Sequence, residues 1–332
     1  MLIRRIASRL CAGLVLSLTA TLAGASGYSA LYVFGDSLSD GGNNALLIGT
    51  DPTQVISGDT YYARVPYASG TYTNGQVWTQ YLAQSLGLPL TPSLAGGGNY
   101  AFGGAETGLD GADVPVIPGF PFSMRSQLGM YLGATSGVAD PNALYIVSGG
   151  GNNIRAALEA VAGGADPMST FTATVGSYAA DMAYIVGGLQ AAGAQHVLVL
   201  NTPNFGLTPL AQALGVTTTA SQLSYAMDQA LATQLAGTGV LSFDLYGFLT
   251  QTVAAGSASG FSNLTQACGA PSNGCDPATA LFYDAIHPTT LGHQLLAEAV
   301  YATAVPEPQQ LLLLLAGLAL LTLRQRRSGQ MR

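Results

Sequence analysis

Four stretches of the chain are apolar at nearly every position: Ala30 to Phe34, Ala143 to Ser148, His196 to Asn201 and Val240 to Phe243. A strand with one face in water alternates apolar and polar side chains, whereas a strand covered on both faces does not. The four runs therefore read as buried strands. Longer stretches with helical character separate or follow them: Val77 to Leu86, Met168 to Ala192, Ala220 to Leu235 and Thr289 to Ala302. Strands that alternate with helices predict an α/β fold of three layers, a parallel sheet between two sheets of helices. The glycine-rich region 88–102 is a candidate further strand. No linker, charge run or repeat divides residues 26–304, so this stretch reads as a single domain.

The two ends follow a different pattern. Arg4, Arg5 and Arg9 precede the apolar run Leu10 to Leu22, and Ala23-Gly24-Ala25 offers small residues for cleavage. Residues 1–25 thus read as a signal peptide for export, with signal peptidase as processing partner; the alternative is a membrane anchor, for which the apolar run is short. At the other end, Val305-Pro306-Glu307-Pro308 is followed by the apolar run Leu311 to Leu323 and then by Arg324, Arg326 and Arg327. At about 1.5 Å per residue that run is shorter than the roughly 30 Å hydrocarbon core, so flanking residues must help it span. Segment 305–332 resembles a PEP-CTERM sorting signal. The resemblance implies a sortase-like processing enzyme and a location at the cell surface or beyond; the alternative is a permanent C-terminal anchor. Membrane contact is expected only through these terminal segments.

Composition narrows the function. The chain of 332 residues is 48% hydrophobic and only 8% charged, enough to build a large core. It contains no lysine, and between the two ends it keeps only Arg64, Arg125 and Arg155, so the body is acidic. That balance argues against nucleic acid or anionic membrane surfaces as partners, and a phosphate-binding P-loop is excluded because it needs a lysine. Cys11 lies within the expected signal peptide. Cys268 and Cys275 are then an even pair in an exported protein, set in a loop of turn-forming residues, and are expected to form a disulfide. No group of His, Cys and carboxylates has metal-ligand spacing, so neither a metal nor another cofactor is expected.

The candidate chemistry centres on Phe34-Gly35-Asp36-Ser37-Leu38-Ser39-Asp40, directly after the first strand. A serine hydroxyl is a weak nucleophile unless a base takes its proton, and the base in turn needs an orienting carboxylate. Of the three histidines, His196 lies in a strand run and His293 within the last helix. His287, in Asp284-Ala-Ile-His287-Pro288, has a carboxylate three residues before it. The same segment also reads as a plain helix start, with Asp284 accepting backbone N–H groups and Pro288 opening the helix. In open α/β sheets ligands bind beyond the carboxyl ends of the strands, and Ser37 and Asn152 both follow strands there.

Gly-Asp-Ser-Leu after a strand and Asp-x-x-His-Pro near the end of the body together resemble the GDSL-type (SGNH) hydrolase family. Asn99-Tyr-Ala-Phe-Gly103-Gly104-Ala105 resembles its second block and Ser148-Gly-Gly-Gly-Asn152-Asn153 its third. All four blocks stand in order from Ala30 to about Leu296. The resemblance implies a flavodoxin-like SGNH hydrolase sandwich and a triad of Ser37, His287 and Asp284. It also implies an oxyanion hole made by the backbone N–H of Ser37, the N–H of Gly103 and the Asn152 side chain. Asn153 stands where the family usually has Asp, which bears on loop support more than on chemistry. Asp36 and Asp40 are expected to bond local backbone, and Trp78 is either core or substrate wall.

The Gly-x-Ser-x-Gly signature of another hydrolase fold does not occur, and Gly96-Gly-Gly98-Asn-Tyr-Ala101 is only a degenerate dinucleotide fingerprint. The expected function is an exported serine hydrolase cleaving acyl esters through an acyl-enzyme, of lipase, esterase or lysophospholipase-like specificity. The alternatives are a polysaccharide deacetylase-type esterase and an inactive surface or matrix binding protein.

Overall fold

A computed structural model describes residues 27–112 and 117–305. The expected signal peptide, Cys11 and the tail from residue 306 onward lie outside the described residues. Four strands form one sheet in the order β1 (Leu31–Gly35), β2 (Leu144–Ser148), β3 (His196–Leu200), β4 (Leu241–Phe243), with every neighbour parallel. Seven longer helices among the described residues are α1 (Trp78–Leu86), α2 (Met124–Ala134), α3 (Gly151–Ala162), α4 (Pro167–Ala192), α5 (Thr217–Gln234), α6 (Leu245–Ala254) and α7 (Thr290–Ala304). A second, two-stranded sheet pairs β5 (Asn263–Ala267) with β6 (Ala280–Phe282). None of the described helices is long and apolar enough to cross a membrane.

The strands are apolar throughout because each feeds two cores. Leu31, Val33, Leu144, Ile146, Leu198 and Leu200 face α1 and α7, where they meet Trp78, Leu82, Leu296 and Val300. Their neighbours Phe34, Tyr145, Val147, Val197 and Val199 face α2, α4 and α5, against Leu128, Tyr131, Met182 and Met227. Period-two alternation is therefore present, but both phases are apolar. β4 departs from the expected buried strand. It is only three residues long and lies at the sheet edge, and Leu241 is 38% exposed there.

The region 88–102 does extend the sheet. The Val33 N–H donates to the Gly98 carbonyl at 2.9 Å, Tyr100 N–H to Val33 at 2.7 Å and Phe102 N–H to Gly35 at 3.2 Å. This added edge beside β1 makes the chain order across the sheet 2-1-3-4-5. The connections after β1 and β2 consequently leave in opposite directions and open a crevice between them, the place where doubly wound sheets bind ligands. Helix starts are set locally. Asp166 accepts the Ser169 N–H at 2.9 Å ahead of Pro167, and the Thr289 hydroxyl accepts the Gly292 N–H at 3.2 Å. Helix α7 thus begins after Thr289, not at Pro288, because Thr289 rather than Asp284 caps it.

Candidate active site

The β1 end is pinned ahead of Ser37, the candidate nucleophile. The buried Gln127 amide accepts the Gly35 N–H at 2.9 Å and donates to the Gly35 carbonyl at 2.8 Å. A Cβ on Gly35 would stand 2.6 Å from the Ser148 carbonyl oxygen, so β1 and β2 can approach this closely only with glycine there. The chain then turns tightly: the Asp36 carboxylate accepts the Leu38 N–H at 3.0 Å, and its carbonyl accepts the N–H groups of Ser39 and Asp40. Ser37 sits at the crown of this turn, facing the crevice.

The candidate base, His287, comes from the loop between β6 and α7. Tyr283 N–H donates to the His287 carbonyl at 2.9 Å, closing a short loop, and inside it Asp284 Oδ1 accepts the N–H groups of Ile286 and His287 at 2.9 and 2.8 Å. The three-residue spacing leaves the second carboxylate oxygen, Oδ2, 2.7 Å from His287 Nδ1. His287 Nε2 lies 2.9 Å from Ser37 Oγ. The relay is nearly dry: Asp284 is 0% exposed, His287 2% and Ser37 8%. Asp284 Oδ2 also accepts the Tyr67 hydroxyl at 2.9 Å and the Ala63 N–H at 3.2 Å. Burial acts to raise the Asp284 carboxyl, but the charge and hydrogen bond of His287 and the two loop N–H groups outweigh it and hold it below the ordinary carboxylate value. A carboxylate kept ionised here favours the imidazole with its proton on Nδ1 and leaves Nε2 free to accept from serine.

Two loops bring candidate oxyanion donors to the same crevice. Asn152, in the first turn of α3, donates one amide N–H to the Ala105 carbonyl at 2.9 Å, and Arg155 Nη2 approaches its Oδ1 at 3.4 Å. These contacts orient the amide so that its second N–H remains available. Gly103 does not serve as expected: its N–H donates to Asp40 Oδ2 at 3.0 Å. Its glycine identity has another reason, since a Cβ there would meet the Tyr72 ring at 2.1 Å. The next N–H, that of Gly104, has no acceptor among the described residues, and neither has that of Ser37. Gly104 sits at φ 85°, a left-handed turn that aims successive N–H groups differently. Ser37, Gly104 and Asn152 border one cavity.

Asn153, in place of the expected Asp, clamps the same loop by accepting the Thr107 N–H at 3.2 Å and donating to its hydroxyl at 3.0 Å. Asp40 bonds local N–H groups of Gly42, Asn43 and Asn44 as well as distant Gly103. Burial pushes Asp36 and Asp40 each up to about 6, against the N–H bonds that oppose it.

Other residues fall elsewhere. His196 opens β3 at the opposite edge, exposed, against the Tyr28 ring. His293 is buried in α7, pushed down to about 3 by burial and by the nearby charge of His287, and so stays neutral. Trp78 is core, with its Nε1 donating to Ser39 Oγ at 3.2 Å. Cys268 and Cys275 are joined by a disulfide, with their Cα atoms 5.2 Å apart. Among the described residues no group of His, Cys and carboxylates could hold a metal ion. Tyr67, Ala63 and Gln127 take part in the site without any motif that announces them.

The sequence model of the GDSL-like lipase/acylhydrolase family matches residues 31–300. An uncharacterized protein of Pseudomonas putida is 32% identical over 323 residues, covering 88% of this chain and 51% of its own. Lipase 1 of Photorhabdus luminescens is 34% identical over 196 residues, 59% of this chain and 25% of the lipase. Esterase EstA of Pseudomonas aeruginosa is 30% identical over 334 residues, 86% of this chain and 48% of the esterase. The chain thus spans about half or less of these relatives' length. Among solved structures it resembles an aryl esterase of M. smegmatis, with 18% identity, TM-score 0.43, and coverage of 82% of this chain and 99% of that one.

Proposed function

The chain belongs to the GDSL-like lipase/acylhydrolase family, and from that premise we propose that it hydrolyses carboxylic esters with Ser37 as nucleophile. The reading rests on one observation: an unbroken, buried relay from Ser37 Oγ through His287 to Asp284, at 2.9 and 2.7 Å.

In this mechanism Ser37 Oγ attacks the ester carbonyl while its proton passes to His287 Nε2. The carbonyl oxygen becomes an oxyanion, met by the N–H groups of Ser37 and Gly104 and by the Asn152 amide. Each such donor is worth about 10²–10³ in rate. Asp284 stabilises the imidazolium without taking its proton. The tetrahedral intermediate collapses, the acyl–oxygen bond breaks and His287 gives the proton to the departing alkoxide. Water then repeats the sequence on the acyl-enzyme, with His287 as base, and frees the acid and Ser37.

Export of residues 26–304 after loss of segment 1–25, and processing of the 305–332 tail, belong to the same proposal. They rest on the charge and hydropathy order of the two ends.

Hydrolysis of a chromogenic short-chain ester tests the reading. Wild type turns the ester over, and Ser37→Ala lowers kcat by at least about 10⁴. Equal inertness of both proteins across a panel of acyl esters would overturn it in favour of a binding protein that keeps only the fold.

A further inference from the structure

The nucleophile opens onto two cavities, one walled chiefly by apolar side chains and the other richer in polar and cationic ones. The first, about 760 Å³ including its open mouth, is walled by Leu38, Phe205, Leu245, Phe248, Leu249 and Leu281. The second shares Ser37, Asn152, Arg155 and His287 with it but adds Tyr62, Arg64 and the Gly103–Gly104 turn. A hydrocarbon chain and a polar group could therefore lie on either side of one reacting carbonyl.

The charge of the second cavity is unusual for this protein. The body has only three cationic side chains, Arg64, Arg125 and Arg155, in a chain of net charge −7. Two of the three line this cavity, and they converge on one phenol. Arg64 Nη2 and Arg155 Nη1 lie 3.3 and 3.4 Å from the Tyr62 hydroxyl. Their guanidinium carbons lie 5.6 and 5.3 Å from the centre of its ring. Of the two, only Arg155 has a carboxylate partner among the described residues, Glu159, 2.9 Å from its Nη1 and half exposed. Arg64 has no carboxylate partner among the described residues, and Arg155 Nε is buried without an acceptor. Two like charges held this close repel each other, and water weakens the repulsion less where the site is enclosed. An anion between them removes that cost, and the forked guanidinium donors match phosphate or carboxylate oxygens.

We propose that Tyr62, Arg64 and Arg155 form an anion subsite, and that the preferred substrate is an amphiphilic ester whose alcohol carries a negative charge. The acyl chain lies in the apolar cavity and the anionic alcohol in the arginine-lined one. When the acyl–oxygen bond breaks, the charged group departs with the alcohol, which takes its proton from His287. The proposal rests on the ester-hydrolase reading above and adds the substrate class to it.

The test compares esters of one acyl chain below their micellar concentration: 1-decanoylglycerol, its 3-phosphate, and the decanoyl ester of glycolate. Against the neutral ester, wild type favours the phosphate by at least about tenfold in kcat/KM, the effect of one charged hydrogen bond. A matching preference for the glycolate ester extends the subsite to carboxylates, and a preference for the phosphate alone restricts it to phosphate; both support it. Arg64 is exposed, so substitution there spares the fold. Arg64→Gln removes most of the preference, chiefly through KM, and Arg64→Lys keeps much of it at low salt. Turnover of all three esters at one rate, or equal losses on charged and neutral esters in Arg64→Gln, overturns the subsite and leaves the ester-hydrolase reading standing. No turnover of any of the three overturns the subsite where the chromogenic short-chain ester is still hydrolysed, and overturns both readings where that ester is inert too.

Discussion

Gly103 gives its backbone N–H to the carboxylate of Asp40 at 3.0 Å, a bond that joins the Gly103–Gly104 turn to the loop that carries Ser37. Asp40 accepts N–H groups on both oxygens, from Gly42 and Asn43 on Oδ1 and from Asn44 and Gly103 on Oδ2. Fixing Gly103 in this way presents the following N–H, that of Gly104, to the cavity. In the proposed mechanism the placing of the Gly104 donor near Ser37 thus depends on a buried aspartate outside the reacting groups.

Asp40→Asn separates this role from mere acidity. One amide oxygen can still accept, but the amide nitrogen that replaces the other oxygen faces N–H groups it cannot accept from. We expect a loss of about 1–3 kcal/mol of stability from the stranded donors. We also expect kcat to fall more than KM changes, because the shifted Gly104 N–H serves the developing oxyanion more than the bound ester. Denaturant melts and steady-state kinetics check this, and a variant with wild-type stability and kcat would remove Asp40 from the account.

Tyr67→Phe addresses the far end of the relay. The lost hydroxyl donates to the buried oxygen of Asp284 that also faces His287. Its removal leaves that oxygen with only the Ala63 N–H and the imidazole, and costs about 1.5–3 kcal/mol as a hydrogen bond to a charged group. The sign with pH follows from the depressed Asp284 value. Stability drawn from this carboxylate is present above the unfolded-state value and is lost as pH falls through the lower folded value. The gap between wild type and Tyr67→Phe in urea melts should accordingly be widest near neutral pH and narrow in acid. A gap that widens toward acid contradicts the assignment.

The parts of the site that could be read in the sequence are those held by short-range geometry. Ser37 follows β1 within two residues, and Asp284 reaches His287 inside one closed loop, so both stand in recognisable strings. Tyr67 meets Asp284 across 217 residues, and no local pattern carries such a contact. Alignment to the family block favours Gly103 over its neighbour Gly104, but the Gly103 N–H is already given to Asp40, a tertiary bond that no local string carries. Helices α2 and α3 escaped expectation because Gly129 and Gly133 interrupt the first and Gly149-Gly-Gly opens the second, weak helix signals that packing overrides. β4 looked buried because apolarity alone does not tell a central strand from an edge.

The disulfide closes a loop with a sequence separation of 7, far from Ser37 in chain order. Its loop nevertheless packs on the segment that holds Tyr67: Ala267 and Ala270 share a cluster with Ile56, Ala63, Tyr67 and Tyr72. Closing so short a loop contributes about 2 kcal/mol in the chain-entropy account. Reduction, or Cys275→Ser, should lower the melting temperature while kcat at 25 °C stays near wild type. Loss of activity at a temperature where the reduced protein remains folded would instead mean that the bond positions the base.

Asp228 provides the last test, one of stability alone. It lies on α5 and accepts the N–H and hydroxyl of Thr202 on Oδ1 at 2.9 and 2.8 Å, while its Oδ2 is buried with no partner among the described residues. Burial pushes its carboxyl up to about 7, the Thr202 bonds opposing. Because the folded value exceeds the unfolded one, stability is full below the unfolded value, near 4, and declines as pH rises through 7. A ceiling of about 4 kcal/mol follows from the width of that window. Asp228→Asn keeps the shape and the acceptor for Thr202 but never ionises. It should therefore be more stable than wild type at pH 8 by an amount that shrinks by pH 5, since Asp36 and Asp40 titrate equally in both proteins. Urea melts at the two pH values decide the matter, and a variant whose difference from wild type is the same at both shows that the Asp228 carboxylate is not strained by its burial.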